Sequence, residues 1–282
     1  MSESDGETTT SWIAVRVEPS GNPGNLMALL FAAGSLGVQE DGAALVTHFP
    51  PSTQTDDLVR DIMDADPRAR VTIGLAPRIA WSEWKASVRA HQLGALTIAP
   101  PWLAGEADPA TTIIIIEPAM AFGTGEHATT RGVTRLMQRL SPMPRNVADL
   151  GSGSAVLSIC AAKLGARRVV AIELDEDAIG NAEENVAANG VGGIVHVIQG
   201  DAAVVLPLVA PVDLVLANII SSVLTGLLPT IADSLSSGGS AILSGILEEE
   251  RVTMLAEVEK GRWRLVAEDR EDGWWSVLID RR

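Results

Sequence analysis

The stretch DLGSGSAVLS, residues 149–158, joins a preceding apolar run to a helical pattern that begins within it. Its two glycines, Gly151 and Gly153, are one residue apart, which indicates a turn whose backbone comes very close to a ligand. A strand, a glycine turn and a helix in this order are typical of the first unit of a doubly wound sheet. The stretch therefore predicts an α/β fold with a ligand beyond the carboxyl ends of the strands.

From Gly105 onward, strand and helix patterns alternate. Strands are predicted at NVADLG, RRVVAIEL, IVHVIQG, VDLVLANI and SAILSGIL, and helices at residues 154–165, 176–189 and 221–236. Such alternation indicates a parallel sheet covered on both faces. The C-terminal sequence WRLVAEDREDGWWSVLIDR adds two strands joined by a turn, so the last pair is expected to be antiparallel. Residues 105–282 are thus predicted to form a Rossmann-like domain with a seven-stranded sheet.

The sequence before this domain predicts a smaller domain and a linker. Residues 1–11 are polar and acidic, without the features of a secretion signal, and are expected to be a disordered tail. Residues 12–77 follow the order strand, helix, strand, helix, strand, which predicts a small α+β domain that recognises a substrate. Residues 78–104 begin as a helix with Trp81 and Trp84 and end in a proline-marked extended segment, which favours a linker.

Composition narrows the functional classes. The 282 residues are 46% apolar and carry a formal net charge of −15. This charge argues against nucleic-acid binding and favours a basic protein partner, with solubility alone as the alternative. The single cysteine, Cys160, excludes an internal disulfide and is expected to be buried in the core. A reducing, cytoplasmic compartment is expected. The protein is also expected to be a monomer. The run TTIIIIEP predicts a buried strand, because it is far too short to span a membrane.

Polar side chains stand at the ends of four predicted strands. Asp149 precedes the glycine turn, and its carboxylate suits an ammonium or sulfonium group better than a pyrophosphate. Val156 occupies the position of the third glycine in a dinucleotide-binding turn. Glu173 is expected to bind ribose hydroxyls, Asp201 the adenine amine, and Asn218 the region of the reacting atoms. Turn or helix-capping roles are the alternative for each residue, but the four together favour a site for S-adenosylmethionine.

Longer motifs surround these residues: EPAMAFGTGEHATTRG, DLGSGSAVLSICAAKLGA, LANI, LSGIL and, in the linker, APPW. With them the chain resembles the PrmA-type ribosomal protein methyltransferases, which modify protein eleven at the stalk base of the large subunit. The string F-G-T-G-x-H-x-T-T is highly specific, whereas D-x-G-x-G occurs throughout methyltransferases of this fold. The resemblance implies a class I S-adenosylmethionine-dependent methyltransferase with an N-terminal recognition domain. It also implies methylation of lysine side chains and an N-terminal amine.

Position by position, the resemblance implies cofactor contacts at Thr130, Gly151, Glu173 and Asn218. Phe122 and Thr124, from the same string as Thr130, are added as lining of the pocket, and Gly153 belongs to the same turn as Gly151. Two residues depart from the family pattern. Ala155 stands where a third glycine is usual, and Glu173 stands where aspartate is usual. We therefore expect adjusted cofactor binding rather than its loss.

Methyl transfer from a sulfonium needs no metal and no covalent enzyme intermediate, so catalysis depends mainly on positioning. The four histidines and one cysteine show no metal-ligand spacing. An acceptor lysine must be neutral to react, and Asn218 is the candidate to align its amine. His127 is a candidate to assist, although fixing its own loop is the favoured interpretation. No residue stands out as a general base.

Three alternatives remain open at this stage. The first is a lysine methyltransferase of the same fold that acts on a different protein. The second is a dinucleotide-dependent oxidoreductase, which Val156 and Asp149 disfavour. The third is a catalytically silent binding protein, which would require Ala155 to abolish cofactor binding.

Overall fold

The structure is a computed structural model, and it describes residues 12–21, 23–35, 38–75, 88–117, 125–261 and 263–281. The chain divides into two compact units, Met1–Ala86 and Ser87–Arg282. The predicted tail, residues 1–11, lies outside the described residues, as do residues 78–87 of the predicted linker. Within the described ranges, no helix has the length and apolar character needed to cross a membrane.

The first unit contains a four-stranded antiparallel sheet and two helices. Its elements are β1 (Ile13–Glu18), α1 (Gly24–Ala32), β2 (Val38–Asp41), β3 (Ala44–Phe49), α2 (Thr55–Ala65) and β4 (Arg70–Leu75), with strand order β2-β3-β1-β4. Val15 and Val17 of β1 are fully buried on one face, as the alternating sequence predicts. α2 buries Leu58 and Ile62, which are one helical turn apart. The predicted element order is present, and β2 adds a short strand that the pattern did not indicate.

The second unit is built on a seven-stranded sheet. Its strands are β8 (Asn146–Leu150), β9 (Arg168–Glu173), β10 (Val195–Gln199), β11 (Val212–Asn218), β12 (Leu235–Leu247), β13 (Trp263–Glu271) and β14 (Trp274–Arg281), in the order β10-β9-β8-β11-β12-β14-β13. Every neighbouring pair is parallel except the two that involve β14. The predicted α/β fold, with its antiparallel last pair, is confirmed.

Six helices within the described residues accompany this sheet: α3 (Ala128–Met137), α4 (Val156–Leu164), α5 (Glu176–Ala188), α6 (Ala202–Val209), α7 (Ser221–Ser234) and α8 (Arg251–Lys260). Successive residues of β8 point into two separate cores: Val147 packs into one, whereas Ala148 and Leu150 pack into the other. Because both faces are covered, the central strands are apolar runs rather than alternating patterns. The strand order reverses between β8 and β11, which opens a crevice at their carboxyl ends.

A small three-stranded sheet precedes the seven-stranded sheet in the chain. β5 (His91–Leu93), β6 (Leu96–Ala99) and β7 (Thr112–Ile115) pair in the order β5-β6-β7. The isoleucine run is therefore a strand, and Ile114 and Ile116 within it are buried. Residues 88–104 of the predicted linker contribute β5, β6 and part of the 3₁₀ turn Pro101–Glu106, all within the second unit.

Three helices of the second unit were not predicted: α3, α6 and α8. α6 consists entirely of apolar residues and contains Pro207, so its sequence shows no helical alternation of polar and apolar positions. α8 has a weakly amphipathic sequence that buries only Met254 and Val258. The sequences of α6 and α8 therefore lack the clear alternation of apolar and polar faces by which a helix is predicted.

Candidate functional site

The glycine turn follows β8 with a backbone that requires its glycines. Gly151 has φ +66° and Gly153 has φ +50°, in the left-handed region that favours glycine. The N–H of Gly151 donates to the carbonyl of Ile172 at 2.9 Å. A Cβ at Gly151 would lie 2.5 Å from Cγ2 of Ile219, the residue after β11. The turn is therefore packed against the end of β11, on the side where the crevice opens.

Ala155 also has a left-handed conformation, with φ +63°, and its side chain is fully buried. It occupies the N-cap of α4, without a side-chain capping bond. The departure from the usual glycine thus places a methyl group in the core while the backbone keeps a conformation that alanine adopts at a cost.

Asp149 supplies a buried carboxylate to the floor of the crevice. Its Oδ2 accepts the hydroxyl of Ser158 at 2.7 Å, whereas its Oδ1 has no hydrogen-bond partner. Burial raises the pKa of Asp149 to about 7; the Ser158 hydrogen bond opposes this rise, and the charge of Glu173 adds to it. Buried polar atoms nearly always have partners, so the free oxygen marks a position for a ligand atom.

Two further side-chain oxygens are buried without a hydrogen-bond partner: Oγ of Ser152, in the glycine turn, and Oγ1 of Thr130. Thr130 lies in the first turn of α3, which packs against β12 and β14. Neutral donors and a buried acid of this kind suit a polar, cationic ligand. The donor set therefore fits S-adenosylmethionine, whose hydroxyl, carboxylate and ammonium groups can use these partners.

Glu173 lies where β9 ends, and its carboxylate reaches the glycine turn. Its Oε2 accepts the N–H of Gly153 at 2.7 Å, and its Oε1 accepts the N–H groups of Leu174 at 2.8 Å and Asp175 at 3.0 Å. A carboxylate offers about four acceptor positions, so capacity for a further donor remains. The structure thus brings together Gly153 and Glu173, two of the residues predicted to bind the cofactor.

Asp201 and Asn218 stand on the same rim of the sheet. Asp201 follows β10, and its Oδ1 accepts the N–H of Ala203 at 2.8 Å, so it caps α6. Asn218 is the last residue of β11, and its side chain makes no hydrogen bond to any part of the chain that the structure describes. A Cβ at Gly245 would lie 2.4 Å from the carbonyl oxygen of Ile219. Gly245 and Gly151 therefore both pack closely against Ile219, the residue after Asn218.

His127 has a structural role. It is the N-cap of α3: its Nδ1 accepts the N–H of Thr129 and lies 2.7 Å from Oγ1 of the same residue. Its ring contacts Trp274 edge to face, with centroids 4.9 Å apart. Burial lowers the pKa of His127 to about 4, and the charge of Arg131 lowers it further. The ring is therefore neutral and holds the start of α3, as the favoured interpretation predicted.

Sequence reasoning missed an ionic cluster that ties α3 to the last hairpin. Arg131 donates to Glu271 at 2.9 Å, and Arg135 pairs with Asp269 and Glu271 at 2.5 and 2.6 Å. Arg131 also donates to the carbonyl of Glu126. The two arginines are one helical turn apart and the two acids are two strand residues apart, which is the spacing that matches a helix to a strand. This matching of basic residues on a helix with acidic residues on a strand is the sequence feature that could have predicted the ionic cluster.

Two predicted cofactor-binding residues have no described position. Phe122 and Thr124 lie outside the described residues. Among the described residues, no group of three or more His, Cys, Asp or Glu side chains is arranged to hold a metal ion. Cys160 is buried, and burial raises the pKa of its thiol to about 12, so it belongs to the core.

Comparison with known proteins relates the chain to one family. The family model described as "Ribosomal protein L11 methyltransferase (PrmA)" matches residues 33–282. A ribosomal protein L11 methyltransferase from Synechococcus sp. (strain RCC307) is 38% identical over 213 residues, which are 74% of this chain and 70% of the relative. The protein of the same name from Geobacter sulfurreducens is 34% identical over 258 residues, covering 87% of this chain and 84% of the relative.

A solved structure agrees with these sequence relatives. The crystal structure of ribosomal protein L11 methylase from Lactobacillus delbrueckii subsp. bulgaricus has a TM-score of 0.62 and 30% sequence identity to this chain. The similarity covers 69% of this chain and all of the crystallised chain. Sequence and structure therefore point to the same group of proteins.

Proposed function

The chain belongs to the PrmA family of ribosomal protein L11 methyltransferases, and on this premise we propose that it methylates ribosomal protein L11 with S-adenosylmethionine as the methyl donor. The acceptors are lysine side chains, the N-terminal amine, or both. One structural observation supports the proposal more than any other. Three buried side-chain oxygens, on Asp149, Ser152 and Thr130, have no partner and belong to the segments that the family motif assigns to the cofactor.

The protein's own residues would hold the cofactor in the following way. The glycine turn lets the backbone approach it closely, and Glu173 accepts a hydrogen bond from its ribose at the acceptor position that the main chain leaves open. Asp149 places negative charge near its cationic groups, and Thr130 contributes a hydroxyl. Asp201, beyond its capping bond, is proposed to meet the adenine amine. When bound, S-adenosylmethionine supplies an activated methyl group on a sulfonium.

On the acceptor side, Asn218 is proposed to align the incoming amine. Its side chain has no other hydrogen bond within the described residues, so its carbonyl oxygen is available to an N–H donor. An amine must lose its proton before it attacks, and ordinary lysine has a pKa of about 10.4. A crevice that excludes water favours the neutral form, because desolvation lowers the pKa of a buried amine. Desolvation in the site would therefore favour the neutral amine, which is the form that attacks the methyl group.

The first unit is proposed to recognise the protein substrate. It carries acidic residues on the exposed side of α2, where Asp56, Asp57, Asp61 and Asp64 outnumber Arg60. Negative charge steers a basic ribosomal protein toward the enzyme through long-range attraction. With this substrate we propose a cytoplasmic monomer that binds no nucleic acid directly.

Mass spectrometry of ribosomal proteins tests the proposal. Ribosomal protein L11 incubated with the enzyme and isotopically labelled S-adenosylmethionine should gain labelled methyl groups on amines, and other ribosomal proteins should gain none. Label on a different protein alone would replace L11 as the substrate and keep the chemistry. Calorimetric titration with S-adenosylmethionine and with NAD examines the cofactor separately, and binding of NAD alone would refute the methyltransferase assignment.

A further inference from the structure

Three asparagines of α5 and its C-cap form hydrogen bonds to Ile115, the last residue of β7, and to Glu117 just beyond it. Asn181, Asn185 and Asn189 are four residues apart and therefore lie on one stripe of the helix. Asn189 accepts the N–H of Ile115 at 2.8 Å and donates to the carbonyl of Ile115 at 2.6 Å. Asn185 accepts the N–H of Glu117 at 2.8 Å, and Asn181 donates to the Glu117 carbonyl at 3.2 Å. These side chains take the place of a neighbouring strand, since β6 pairs with the opposite edge of β7.

Asn185 is the member of this row that also reaches the glycine turn. Its Nδ2 donates to the carbonyl of Ser154 at 3.1 Å, while its Oδ1 accepts from Glu117. Asn185 is 1% exposed and Ser154 is 2% exposed, so water cannot replace either bond without local opening. A buried amide that loses one partner leaves polar groups unsatisfied, which is costly. One rigid, planar group therefore connects the turn to the strand edge.

The turn is held from two directions. Glu173 binds the N–H of Gly153 from one side, and Asn185 binds the carbonyl of Ser154 from the other. These two bonds restrain the peptide groups on either side of the one that joins Gly153 to Ser154. Asn189 makes a similar pair of bonds to β7 but, among the described contacts, none to the turn.

We propose that Asn185 is a positioning residue for cofactor binding, which holds the turn from Gly151 to Ala155 in the conformation that accepts S-adenosylmethionine. The inference rests on the proposed function, because it concerns the same cofactor. It assigns a role to a helix residue that touches no predicted cofactor contact through its side chain. Its effect reaches the cofactor through the Ser154 carbonyl, in the same turn as Gly151 and Gly153.

The test compares the full-length protein with Asn185→Ala and Asn189→Ala, by titration calorimetry with S-adenosylmethionine and by thermal unfolding. Asn185→Ala loses its bonds to Glu117 and Ser154, and Asn189→Ala loses its bonds to Ile115, so both variants should unfold at lower temperatures. Only Asn185→Ala should bind S-adenosylmethionine more weakly, by roughly tenfold, the equivalent of about one hydrogen bond. In activity assays this loss should raise the KM for the cofactor and leave kcat at saturating cofactor within about twofold.

Hydrogen exchange of the unmodified protein provides a second measurement that needs no variant. Binding of S-adenosylhomocysteine should slow exchange in residues 112–117, because a fixed turn also fixes Asn185 and its bond to Glu117. Unchanged exchange there would overturn the inference. So would equal affinities of Asn185→Ala and the parent, or equal losses in both variants, which would indicate general loosening. A parent protein that binds no S-adenosylmethionine would overturn the proposed function, and this inference with it.

Discussion

Asp149 combines two properties that rarely occur together: complete burial and a carboxylate oxygen without a partner. Its pKa of about 7 means that the side chain is close to half protonated at neutral pH. A cation bound beside it favours the charged form, so the pKa should fall when the cofactor binds. Cofactor binding and proton release are thereby coupled at one residue.

We expect the affinity for S-adenosylmethionine to increase with pH because of this coupling. Below pH 7 Asp149 is mostly protonated, so binding of the cationic cofactor must release this proton. Above pH 7 Asp149 is mostly ionised, and no proton has to be released. The affinity of the parent relative to Asp149→Asn should rise about tenfold between pH 6 and pH 8, for a single proton with a pKa near 7. Titration calorimetry at both pH values measures the ratio, and using the ratio cancels titration of the ligand's own amine. A constant ratio would show that Asp149 does not face the cation.

The positive-φ residues of the turn differ in how they tolerate a methyl group. We expect Gly151→Ala to lower the free energy of unfolding by about 2–4 kcal/mol, from left-handed strain together with the contact to Ile219. Ala155→Gly should change it by less than about 1 kcal/mol, because relief of strain is offset by greater chain entropy and a lost buried methyl. Chemical denaturation measures both. Equal effects would contradict the packing of the turn against Ile219.

At the level of elements, the central strands could be predicted from the sequence and several helices could not. β9 and β11 are largely apolar runs that end in the polar residues Glu173 and Asn218, as expected of strands buried on both faces. α6 has no polar face to reveal its period. The polar strand ends predicted to share one edge of the sheet do so for the glycine turn and Glu173, which accepts the N–H of Gly153, because β8 and β9 are adjacent parallel strands. Asn185 and Arg131 escaped prediction, since their partners lie 68 and 140 residues away in the sequence.

The start of α3 depends on a neutral histidine, which makes this element sensitive to acid. The pKa of His127 is lowered to about 4 from an ordinary value of 6.5. The unfolded chain therefore binds a proton that the folded chain excludes, and stability is lost as pH falls from about 6.5 through 4. We expect the parent to lose up to ~3 kcal/mol over this range through His127 alone, at 1.36 kcal/mol per pH unit.

His127→Asn separates this contribution from the other titrations, because asparagine caps a helix and does not titrate. Chemical denaturation at pH 7 and pH 4.5 should show a smaller loss of stability for His127→Asn than for the parent. At pH 7 the variant should be slightly less stable, since it loses the contact with Trp274. Identical losses on acidification would mean that His127 is protonated without disturbing α3.

For the molecule as a whole, the division of labour between the two units follows from where the predicted cofactor residues lie. All of them belong to Ser87–Arg282, whose sheet has a core on both faces within that unit. The sequence placed the start of this domain at residue 105, but β6 pairs with β7, and Leu93, Leu96 and Ile98 contribute to one of the cores. Local patterns did not reveal this pairing, because β5 and β6 have only three and four residues.

A fragment of residues 87–282 should therefore bind S-adenosylmethionine with an affinity within about threefold of the full chain. A fragment of residues 105–282 should bind less and unfold at a lower temperature, because it exposes apolar residues that β5 and β6 cover, each worth roughly 1.5–3 kcal/mol when buried. Calorimetry and thermal unfolding compare the two fragments. The longer fragment should also lose most of its activity on ribosomal protein L11, because it lacks the unit proposed to recognise that substrate. Full activity in this fragment would assign recognition to the second unit, and equal stability of the two fragments would show that β5 and β6 are dispensable to the fold.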